Sequence, residues 1–285
     1  MSWEKLIKEN KPLVITGTIN AYSALLAERA GIKAIYLSGG GVANASYGLP
    51  DLAMTSREDV LEDVRRIRSA SELPLLVDID TGWGSALAIS RSIKEMISAG
   101  ASGVHIEDQV SEKRCGHRPN KEIVSSEEMV DRIKAAKDAQ TDDNFLLMAR
   151  TDAFAKGGLQ EVIDRSNAFI EAGAGAIFPE AISTLKDYEE ISKNVSKPIL
   201  ANITEFGMTP LFSHNDLADA GVKIVLHPLS AFRAMSKAAE KVYATLASGG
   251  DHEGLLDKMQ TRDELYEVLD YHMYEEKIDK LFEKN

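Results

Sequence analysis

The sequence predicts an α/β protein that folds as a (β/α)8 barrel, and three observations support this fold class. Eight short, almost continuously apolar runs recur along the chain, as expected of strands buried on both faces of a parallel sheet. Segments with helical spacing lie between these runs, and strict alternation of strand and helix implies right-handed crossovers. Eight such units in roughly 250 residues fit a closed barrel, with a doubly wound open sheet as the alternative.

The predicted strands and helix ends can be placed along the chain. The predicted strands cover residues 13–16, 34–37, 73–80, 103–107, 145–150, 176–180, 199–203 and 224–227. Between them, residues 58–67 and 162–170 have the clearest helical spacing of apolar side chains. Helix N-caps are predicted at Ser56, Ser125 and Thr184. Glycines that follow helical runs and precede the next strand are typical C-caps; they are Gly31, Gly100, Gly173 and Gly221.

We expect residues 1–285 to form a single barrel domain, because no proline- or glycine-rich linker interrupts the chain. Residues 251–285 have a helical, charged pattern and follow the eighth unit, so no barrel position is left for them. We therefore expect this C-terminal tail to pack against a neighbouring subunit.

Composition and charge exclude several classes of function. The formal net charge of −12 argues against nucleic acid or an anionic membrane as partner, since both are polyanions. The single cysteine cannot form an intramolecular disulfide, which suits a reducing cytoplasm. The first ten residues lack the apolar region of a signal peptide, and no run is long enough for a membrane helix. We therefore expect a soluble cytoplasmic protein.

Polar residues follow almost every predicted strand, at the end where barrel enzymes place their catalytic groups. Each of them alone would suit a cap or a turn, but together they predict a polar pocket rich in carboxylates. They are Ser38, Asp78, Asp80, Glu107, Asp108, Arg150, Asp152, Glu180, Asn202, Thr204 and His227.

Asp78 and Asp80 are the strongest candidates for metal ligands. A spacing of two on a strand places both carboxylates on one face, where they would repel each other without a cation. Oxygen ligands, with Glu107 as a third and Asp51 as an outer-shell group, favour Mg²⁺, or Mn²⁺ as the alternative, over zinc. The structural alternative is a turn at Asp80 and an arginine partner for Asp78.

Other side chains and backbone groups are candidates for binding an anionic substrate. The glycines after Ser38 lack a nucleotide-binding pattern and are interpreted as backbone donors to a small anion. Arg150, Arg233 and Arg262 are candidate carboxylate clamps, although surface solvation is the simpler interpretation of the last two. Tyr36 lies two residues before Ser38 and therefore on the same strand face.

The only cysteine, Cys115, lies in the polar segment KRCGH (113–117). A lone cysteine is usually a small buried hydrophobe. Here two cations and a histidine flank the sulfur, and nearby positive charge favours the thiolate. The segment is therefore predicted to be a mobile loop that handles protons, with Gly116 allowing the substrate to approach the backbone.

Nine motifs in this order resemble one family of enzymes from about residue 10 to the C-terminus. They are YLSGGG (36–41), GLPD (48–51), LVDIDTGWG (76–84), IEDQ (106–109), KRCGHRPNK (113–121), MARTD (148–152), IFPE (177–180), ANITEFG (201–207) and PLSAFR (228–233). Their order and spacing are similar to those of the 2-methylisocitrate lyases, within the isocitrate lyase and phosphoenolpyruvate mutase superfamily.

The resemblance implies a role for individual residues. Asp78 and Asp80 would hold Mg²⁺, with Glu107 bound to it through water. The residues implied to line the substrate site are Ser38, Gly39, Gly40, Asp51, Cys115, Gly116, Arg150, Glu180, Asn202, Thr204, Arg233 and Arg262. An apolar wall next to the substrate methyl group would consist of Phe178, Leu226 and Pro228. The family also implies a homotetramer that exchanges its C-terminal helices.

The implied reaction is the magnesium-dependent cleavage of 2-methylisocitrate, a tricarboxylate, into pyruvate and succinate during propionate breakdown by the methylcitrate cycle. A base, either Tyr36 or Glu107 through a water, would remove the hydroxyl proton. Cys115 would then act as general acid toward the succinate carbanion, with its acidity tuned by Lys113, Arg114 and His117. Alternatives are an isocitrate lyase, an oxaloacetate decarboxylase or a phosphonate mutase of the same fold, and a barrel that binds a metabolite without catalysis.

Overall fold

The computed structural model describes residues 2–251 and 253–282. The chain divides into two compact units, one within residues 1–231 and the other within residues 232–285. In the described ranges, no helix combines the length and the apolar content needed to cross a bilayer.

The first unit is a nearly closed barrel of eight parallel strands. The strands are β1 Leu13–Gly17, β2 Ile35–Leu37, β3 Leu75–Asp78, β4 Gly103–Glu107, β5 Leu146–Thr151, β6 Ala176–Pro179, β7 Leu200–Asn202 and β8 Ile224–His227. They pair in the order β6-β5-β4-β3-β2-β1-β8-β7, and a single parallel bridge between Ile177 and Ile199 links the two end strands. The predicted barrel is confirmed, and each predicted strand overlaps an observed one. The open-sheet alternative is wrong.

Helices alternate with the strands. They are α1 Trp3–Glu9, α2 Ala21–Arg29, α3 Gly39–Gly41, α4 Arg57–Ala70, α5 Ala86–Ser98, α6 Ser126–Asp138, α7 Phe154–Glu171, α8 Leu185–Asn194 and α9 His214–Asp219, with a π-helix Val42–Ser46 after α3. A further helix, α10 Ser230–Ala247, begins at the end of this unit.

The predicted helix ends are confirmed. Ser56, Ser125 and Thr184 each accept a hydrogen bond from a backbone N–H in the first turn of α4, α6 and α8. Glycine follows the C-cap of four helices in the left-handed region, with φ of 86°, 93°, 115° and 90°, where a Cβ would be strained; these are Gly31, Gly100, Gly173 and Gly221.

Strand side chains alternate between two apolar layers. Those facing outward, such as Val77 and Ala149, pack beneath the helices. Those facing inward, such as Leu76 and Met148, fill the barrel interior together with Trp3 and Leu6 of α1. The inward set becomes polar toward the carboxyl ends of the strands, and this change positions the candidate site.

The second unit contains a 3₁₀ segment, Glu253–Lys258, and two further helices, α11 Arg262–Val268 and α12 Tyr271–Phe282. Tyr266 and Tyr271 stack with ring centroids 4.2 Å apart. The predicted helical pattern of the tail is present in its described part; His252 and residues 283–285 lie outside the described ranges. The expected single domain and the exchange of the tail stay predictions.

Candidate active site

The candidate site lies at the carboxyl ends of the barrel strands, and the strand alternation explains how its side chains converge. The inward positions continue from Leu76 into Asp78 in β3 and from Met148 into Arg150 in β5, whereas in β4 His105 precedes Glu107. The strand register aligns Glu107 with Arg150 and Arg150 with Phe178. These side chains are almost fully buried, so their charges interact with little screening by water.

Asp78 and Asp80 form the floor of the site. Asp78 accepts hydrogen bonds from the backbone N–H of Gly39 and of Asp80, both at 3.0 Å. Burial raises the pKa of Asp78, but His105, Lys113 and Arg150 outweigh it and lower the value to about 2. Burial and the neighbouring carboxylates raise the pKa of Asp80 to about 6, although Lys113 opposes this shift.

Lys113 connects the KRCGH segment to these carboxylates. Its buried ammonium group lies 2.9 Å from Asp51 Oδ1 and pairs closely with Asp80 Oδ1. These carboxylates raise its pKa well above the ordinary value against the opposing effect of burial. The lysine is therefore a permanent cation between two acids of the site.

The residues present fit a hexacoordinate hard cation such as Mg²⁺. Both Glu107 carboxylate oxygens are buried without a hydrogen-bond partner, and Asp80 Oδ1 has only its ion pair with Lys113. A Cβ on Gly39 would lie 3.2 Å from oxygens of Asp78 and Asp80, so the glycine keeps space open above them. In the described residues, no three His, Cys, Asp or Glu side chains form a ready metal cage. Mg²⁺ is usually held by one or two carboxylates and otherwise by water and substrate, so two ligands are sufficient.

Arg150 is the central cation of the site. Its guanidinium lies 3.2 Å from Glu107 Oε2 and 3.3 Å from Glu180 Oε2, and its Nε donates to Asp152 Oδ2 at 2.9 Å. It also lies over the Phe178 ring, 5.2 Å from the centroid. Burial raises the pKa of Glu107 well above its usual range, and Arg150 only partly offsets this.

Tyr36 and His105 form a stacked pair beneath the carboxylates. The tyrosine hydroxyl lies 2.9 Å from His105 Nε2 and 3.4 Å from Asp78 Oδ2, and the rings stack at 5.7 Å. Burial, followed by the charge of Asp78, raises the pKa of Tyr36 well above 10.0. Burial lowers the pKa of His105 to about 4, so this ring is neutral at physiological pH.

Cys115 and Gly116 lie over the charged pocket. A Cβ on Gly116 would be 2.3 Å from Glu180 Oε2 and 2.5 Å from Arg150 Nη2, so only glycine permits this approach. Burial raises the pKa of the Cys115 thiol, and Asp51 and Glu180 add to the shift. The expectation of a thiolate-favouring environment is wrong, because Lys113 pairs with carboxylates and Arg114 is exposed to solvent.

His117 and Asn202 close one side of the pocket. His117 Nδ1 accepts a hydrogen bond from the backbone N–H of Met208 at 3.0 Å, which leaves Nε2 facing the pocket. Nε2 lies 3.3 Å from Asn202 Nδ2 and 3.5 Å from Glu180 Oε1. Asn202 Oδ1 is buried without a hydrogen-bond partner, and Thr204, two positions farther along the chain, is also buried.

The remaining predicted site residues fall into three groups. Phe178, Leu226 and Pro228 are buried, the first two inside the barrel. Ser38 caps α3 by accepting from Gly41 N–H, while Gly39 N–H donates to Asp78 and Gly40 packs against Asp51. The backbone donor predicted to bind an anion thus binds a protein carboxylate.

Arg233 and Arg262 belong to the second unit, on α10 and at the start of α11, and their roles stay predictions.

Sequence reasoning gave no role to Gln109 or Lys121, which the structure places in contact with the site. Lys121 Nζ donates to the carbonyl of Gly116 at 2.6 Å and pairs closely with Asp152. Gln109 holds the backbone of Arg114. Asp152 was predicted only as one of the polar residues of the pocket, and the structure shows that it contacts both Arg150 and Lys121. No local pattern distinguished Gln109 or Lys121 from ordinary loop residues.

Residues 3–247 match the family model described as phosphoenolpyruvate phosphomutase. A 2-methylisocitrate lyase from Vibrio cholerae is 60% identical over 97% of this chain and 92% of its own length. One from Escherichia coli is 59% identical over 98% of this chain and 95% of its own length.

The chain belongs to the 2-methylisocitrate lyase family, within the phosphoenolpyruvate phosphomutase superfamily. It is thereby an enzyme of the carbon–carbon lyase class. A solved structure of the same superfamily, phosphonopyruvate hydrolase in complex with oxalate and Mg²⁺, superposes with a TM-score of 0.85 at 29% identity, covering 98% of this chain and 97% of the other. The high TM-score shows that the two chains share the same fold.

Proposed function

We propose that this chain is a magnesium-dependent lyase that cleaves 2-methylisocitrate into pyruvate and succinate. The observation that carries the proposal is the position of the KRCGH segment over the pocket. Lys113 contacts Asp80, Gly116 packs against Arg150 and Glu180, and His117 faces Asn202. A thiol beside these groups is suited to deliver a proton to a carbanion formed there.

Asp78 and Asp80 would hold Mg²⁺, with Mn²⁺ as an alternative, and Glu107 would bind it through water. When bound, the ion acts as a Lewis acid that stabilises negative charge on the substrate oxygen and orients the pyruvate half. The charges around the pocket support a cation there. Among the described residues, the ion pairs of the pocket join three cationic side chains, Lys113, Lys121 and Arg150, to a larger set of acids. The acids of the pocket are Asp51, Asp78, Asp80, Glu107, Asp152 and Glu180. The related phosphonopyruvate hydrolase binds Mg²⁺.

The substrate carboxylates would be held by the Arg150 guanidinium and by Asn202 and Thr204. Arg150 is fixed by three carboxylates, so it keeps one orientation while charge develops on the succinate half. The methyl group would contact the apolar wall of Phe178, Leu226 and Pro228. One methyl group in an apolar pocket contributes only ~1–3 kcal/mol of discrimination, so isocitrate is a weaker substrate rather than an excluded one.

The proton chemistry uses two ends of the pocket. At one end, the base is Tyr36 or Glu107 acting through a water, both buried on inward strand positions. It must be in its deprotonated form, phenolate or carboxylate, to accept the hydroxyl proton. The carbon–carbon bond then breaks, and the electron pair passes into the succinate half as an aci-carboxylate. At the other end, the Cys115 thiol donates its proton to that carbon. Because burial raises the pKa of Cys115, the thiol is protonated near neutral pH, as a general acid must be.

The proposal extends to assembly and pathway. We propose a homotetramer that exchanges its C-terminal helices and serves propionate breakdown by the methylcitrate cycle. Helices α10 and α12 have no buried residue and expose large apolar side chains, as interaction surfaces do; these include Tyr243, Leu246, Tyr274, Ile278 and Phe282. Light scattering after gel filtration tests the subunit number, and a dimer or monomer at micromolar concentration would contradict it.

The decisive experiment measures pyruvate release from 2-methylisocitrate with Mg²⁺ and again with EDTA, using lactate dehydrogenase as the coupling enzyme. Isocitrate is assayed in parallel by its glyoxylate product. We expect metal-dependent pyruvate and little glyoxylate. Comparable glyoxylate from isocitrate would contradict the assigned apolar wall, and turnover of neither substrate would contradict the lyase proposal.

A further inference from the structure

The segment that carries Cys115 belongs to a loop with a closed base. The backbone N–H of Val110 donates to the carbonyl of Glu122 at 3.1 Å, and that of Val124 donates to the carbonyl of Asp108 at 2.8 Å. An antiparallel bridge joins Gln109 and Ile123 between them. The loop therefore leaves and rejoins the barrel at one point, and its tip needs further contacts to stay over the pocket.

Two buried side chains supply such contacts, one on each side of Cys115. The Gln109 amide holds Arg114 twice, with Oε1 accepting from its N–H at 3.0 Å and Nε2 donating to its carbonyl at 2.9 Å. The Lys121 ammonium donates to the carbonyl of Gly116 at 2.6 Å. Gln109 is fully buried and Lys121 is 6% exposed, so neither can exchange these contacts for water without an opening of the loop.

Lys121 also connects the loop to the substrate-binding cation. Its ammonium pairs with Asp152, whose carboxylate accepts from Arg150 Nε at 2.9 Å and from Arg150 Nη2 at 3.2 Å. The backbone N–H of Asp152 donates to Asp108 Oδ1 at 2.9 Å. This hydrogen bond fixes the backbone from which the Asp152 carboxylate extends. Gln109 makes no such connection to Arg150, so the two side chains are distinguishable.

We propose that Gln109 and Lys121 are positioning residues that hold the Cys115 backbone over the pocket, and that Lys121 in addition sets the orientation of Arg150 through Asp152. Neither side chain touches the reacting atoms. The catalytic part of this inference rests on the proposed function, in which Cys115 is the proton donor. The positioning part concerns only where the thiol lies, and it can be measured without turnover.

The first test uses the single cysteine of the full-length chain as its own reporter. Cys115 is alkylated with iodoacetamide between pH 7.5 and pH 10, and the modified fraction is followed by intact mass. Lys121→Met and Gln109→Met should each raise the alkylation rate at a fixed pH by at least about tenfold, since the first loses one hydrogen bond that closes the loop and the second loses two. Lys134→Met, at an exposed site on α6, is the matched control and should react like the wild type.

A second variant separates loop positioning from damage to the fold. Lys121→Gln keeps a donor near the Gly116 carbonyl but removes the charge, and it should restore part of the slow alkylation. Thermal unfolding of each variant measures any general loss of stability. If both Lys121 variants were only destabilised, they would be alkylated at the same rate, so slower alkylation of Lys121→Gln reports the restored donor. Wild-type alkylation rates in both methionine variants would overturn the proposal.

Steady-state kinetics on 2-methylisocitrate distinguish the two residues. Gln109→Met should lower kcat and leave KM within about twofold, because only the proton donor is displaced. Lys121→Met should lower kcat and also raise KM, because Arg150 loses the fixed position of Asp152. An unchanged KM for Lys121→Met would contradict the connection to Arg150. If even the wild type lacks turnover while alkylation follows the expected pattern, the proposed function fails and the positioning of Cys115 stands.

Discussion

The two ends of the barrel are built from the same eight strands but differ in composition. At the amino ends, Trp3 and Leu6 of α1 pack against inward apolar side chains, and the Trp3 indole donates to the Ser102 carbonyl at 2.8 Å. At the carboxyl ends, the inward positions carry buried carboxylates and Arg150. A cavity of about 970 Å³ opens at the amino end, yet the acids and the thiol converge at the opposite end. The position of the candidate active site therefore follows from the direction of the strands and not from the volume of a cavity.

The backbone differs between the ends in the same way. Non-glycine residues with positive φ follow strands at the carboxyl end, including Asp80 at 48°, Ala181 at 60° and Phe206 at 63°. At the amino end, the positive-φ positions before β4, β6 and β8 are Gly100, Gly173 and Gly221. A non-glycine residue in this region costs stability, so strain is concentrated where the side chains must be aimed. The amino end therefore mainly stabilises the fold, whereas the carboxyl end contains less favourable backbone conformations that position the side chains of the site.

The largest expected effect is a loss of catalysis at the carboxyl end without a loss of stability. Cys115→Ser should lower kcat by roughly 10²–10⁴-fold, the usual contribution of a general acid, while urea unfolding stays within ~0.5 kcal/mol of the wild type. Serine keeps the size of the side chain and removes the easily transferred proton. Near-full turnover in this variant would remove the cysteine from the mechanism.

The converse expectation applies at the amino end. Leu6→Ala should lower the free energy of unfolding by about 2–5 kcal/mol, since Leu6 is 2% exposed within the inner core. Its kcat below the unfolding transition should equal that of the wild type. Leu87→Ala, at an 84% exposed leucine on α5, is the control and should change neither quantity. A drop in kcat for Leu6→Ala would show that the two ends are not independent.

The buried titratable groups give the carboxyl end a pH dependence that the apolar end lacks. His105 has a folded pKa of about 4 against 6.5, so its contribution makes stability fall by about 3 kcal/mol as the pH falls from 6.5 to 4. Asp80 has a folded pKa of about 6 against 3.8, so its contribution makes stability fall by a similar amount as the pH rises from 3.8 to 6. The two contributions oppose each other in the same window.

Single substitutions should separate these contributions in urea unfolding of the metal-free protein. Relative to the wild type, the change in stability from pH 4 to pH 6.5 should become more negative in His105→Gln and more positive in Asp80→Asn. Leu6→Ala serves as the pH-independent reference. Parallel profiles for all three variants would contradict the buried, shifted state of these groups.

The smallest expected effect concerns the apolar wall between the two ends. Leu226→Val should reduce the preference for 2-methylisocitrate over isocitrate by about fourfold, the equivalent of one methylene contact of ~0.8 kcal/mol. Leu200→Val, in the same barrel interior but one inward position lower by register, should leave the ratio unchanged. The ratio of the two kcat/KM values is the measurement, and an unchanged ratio in Leu226→Val would place the methyl group elsewhere.

The sequence was sufficient for the barrel because each element is specified locally. Apolar runs, N-caps such as Ser56 and C-cap glycines such as Gly100 act over a few residues, and the alternation within β3 to β5 places Asp78, Glu107 and Arg150 on one side. The only cysteine and the charges beside it identified the segment around Cys115, and the family motifs then gave it a role. These local patterns are enough to predict the position of the site, because parallel strands bring the residues at their carboxyl ends together at one end of the barrel.

The sequence was insufficient to predict pKa shifts and ion pairs, because these depend on which groups are close in space rather than along the chain. Lys113 and Arg114 flank Cys115 along the chain, yet one pairs with Asp51 and Asp80 and the other faces solvent, so burial determines the pKa of the thiol. Likewise, Lys121 reaches Asp152 across 31 positions of sequence. No periodicity encodes such a contact.

The raised pKa of the only thiol has a consequence for survival under oxidants. Peroxides attack the thiolate rather than the thiol, and Cys115 carries little thiolate at neutral pH because burial disfavours its charge. With no second cysteine in the chain, a sulfenic acid formed at this position has no intramolecular partner for rescue as a disulfide. Cys115 is therefore protected because its first oxidation to the sulfenic acid is slow, and not because a disulfide could reverse that oxidation.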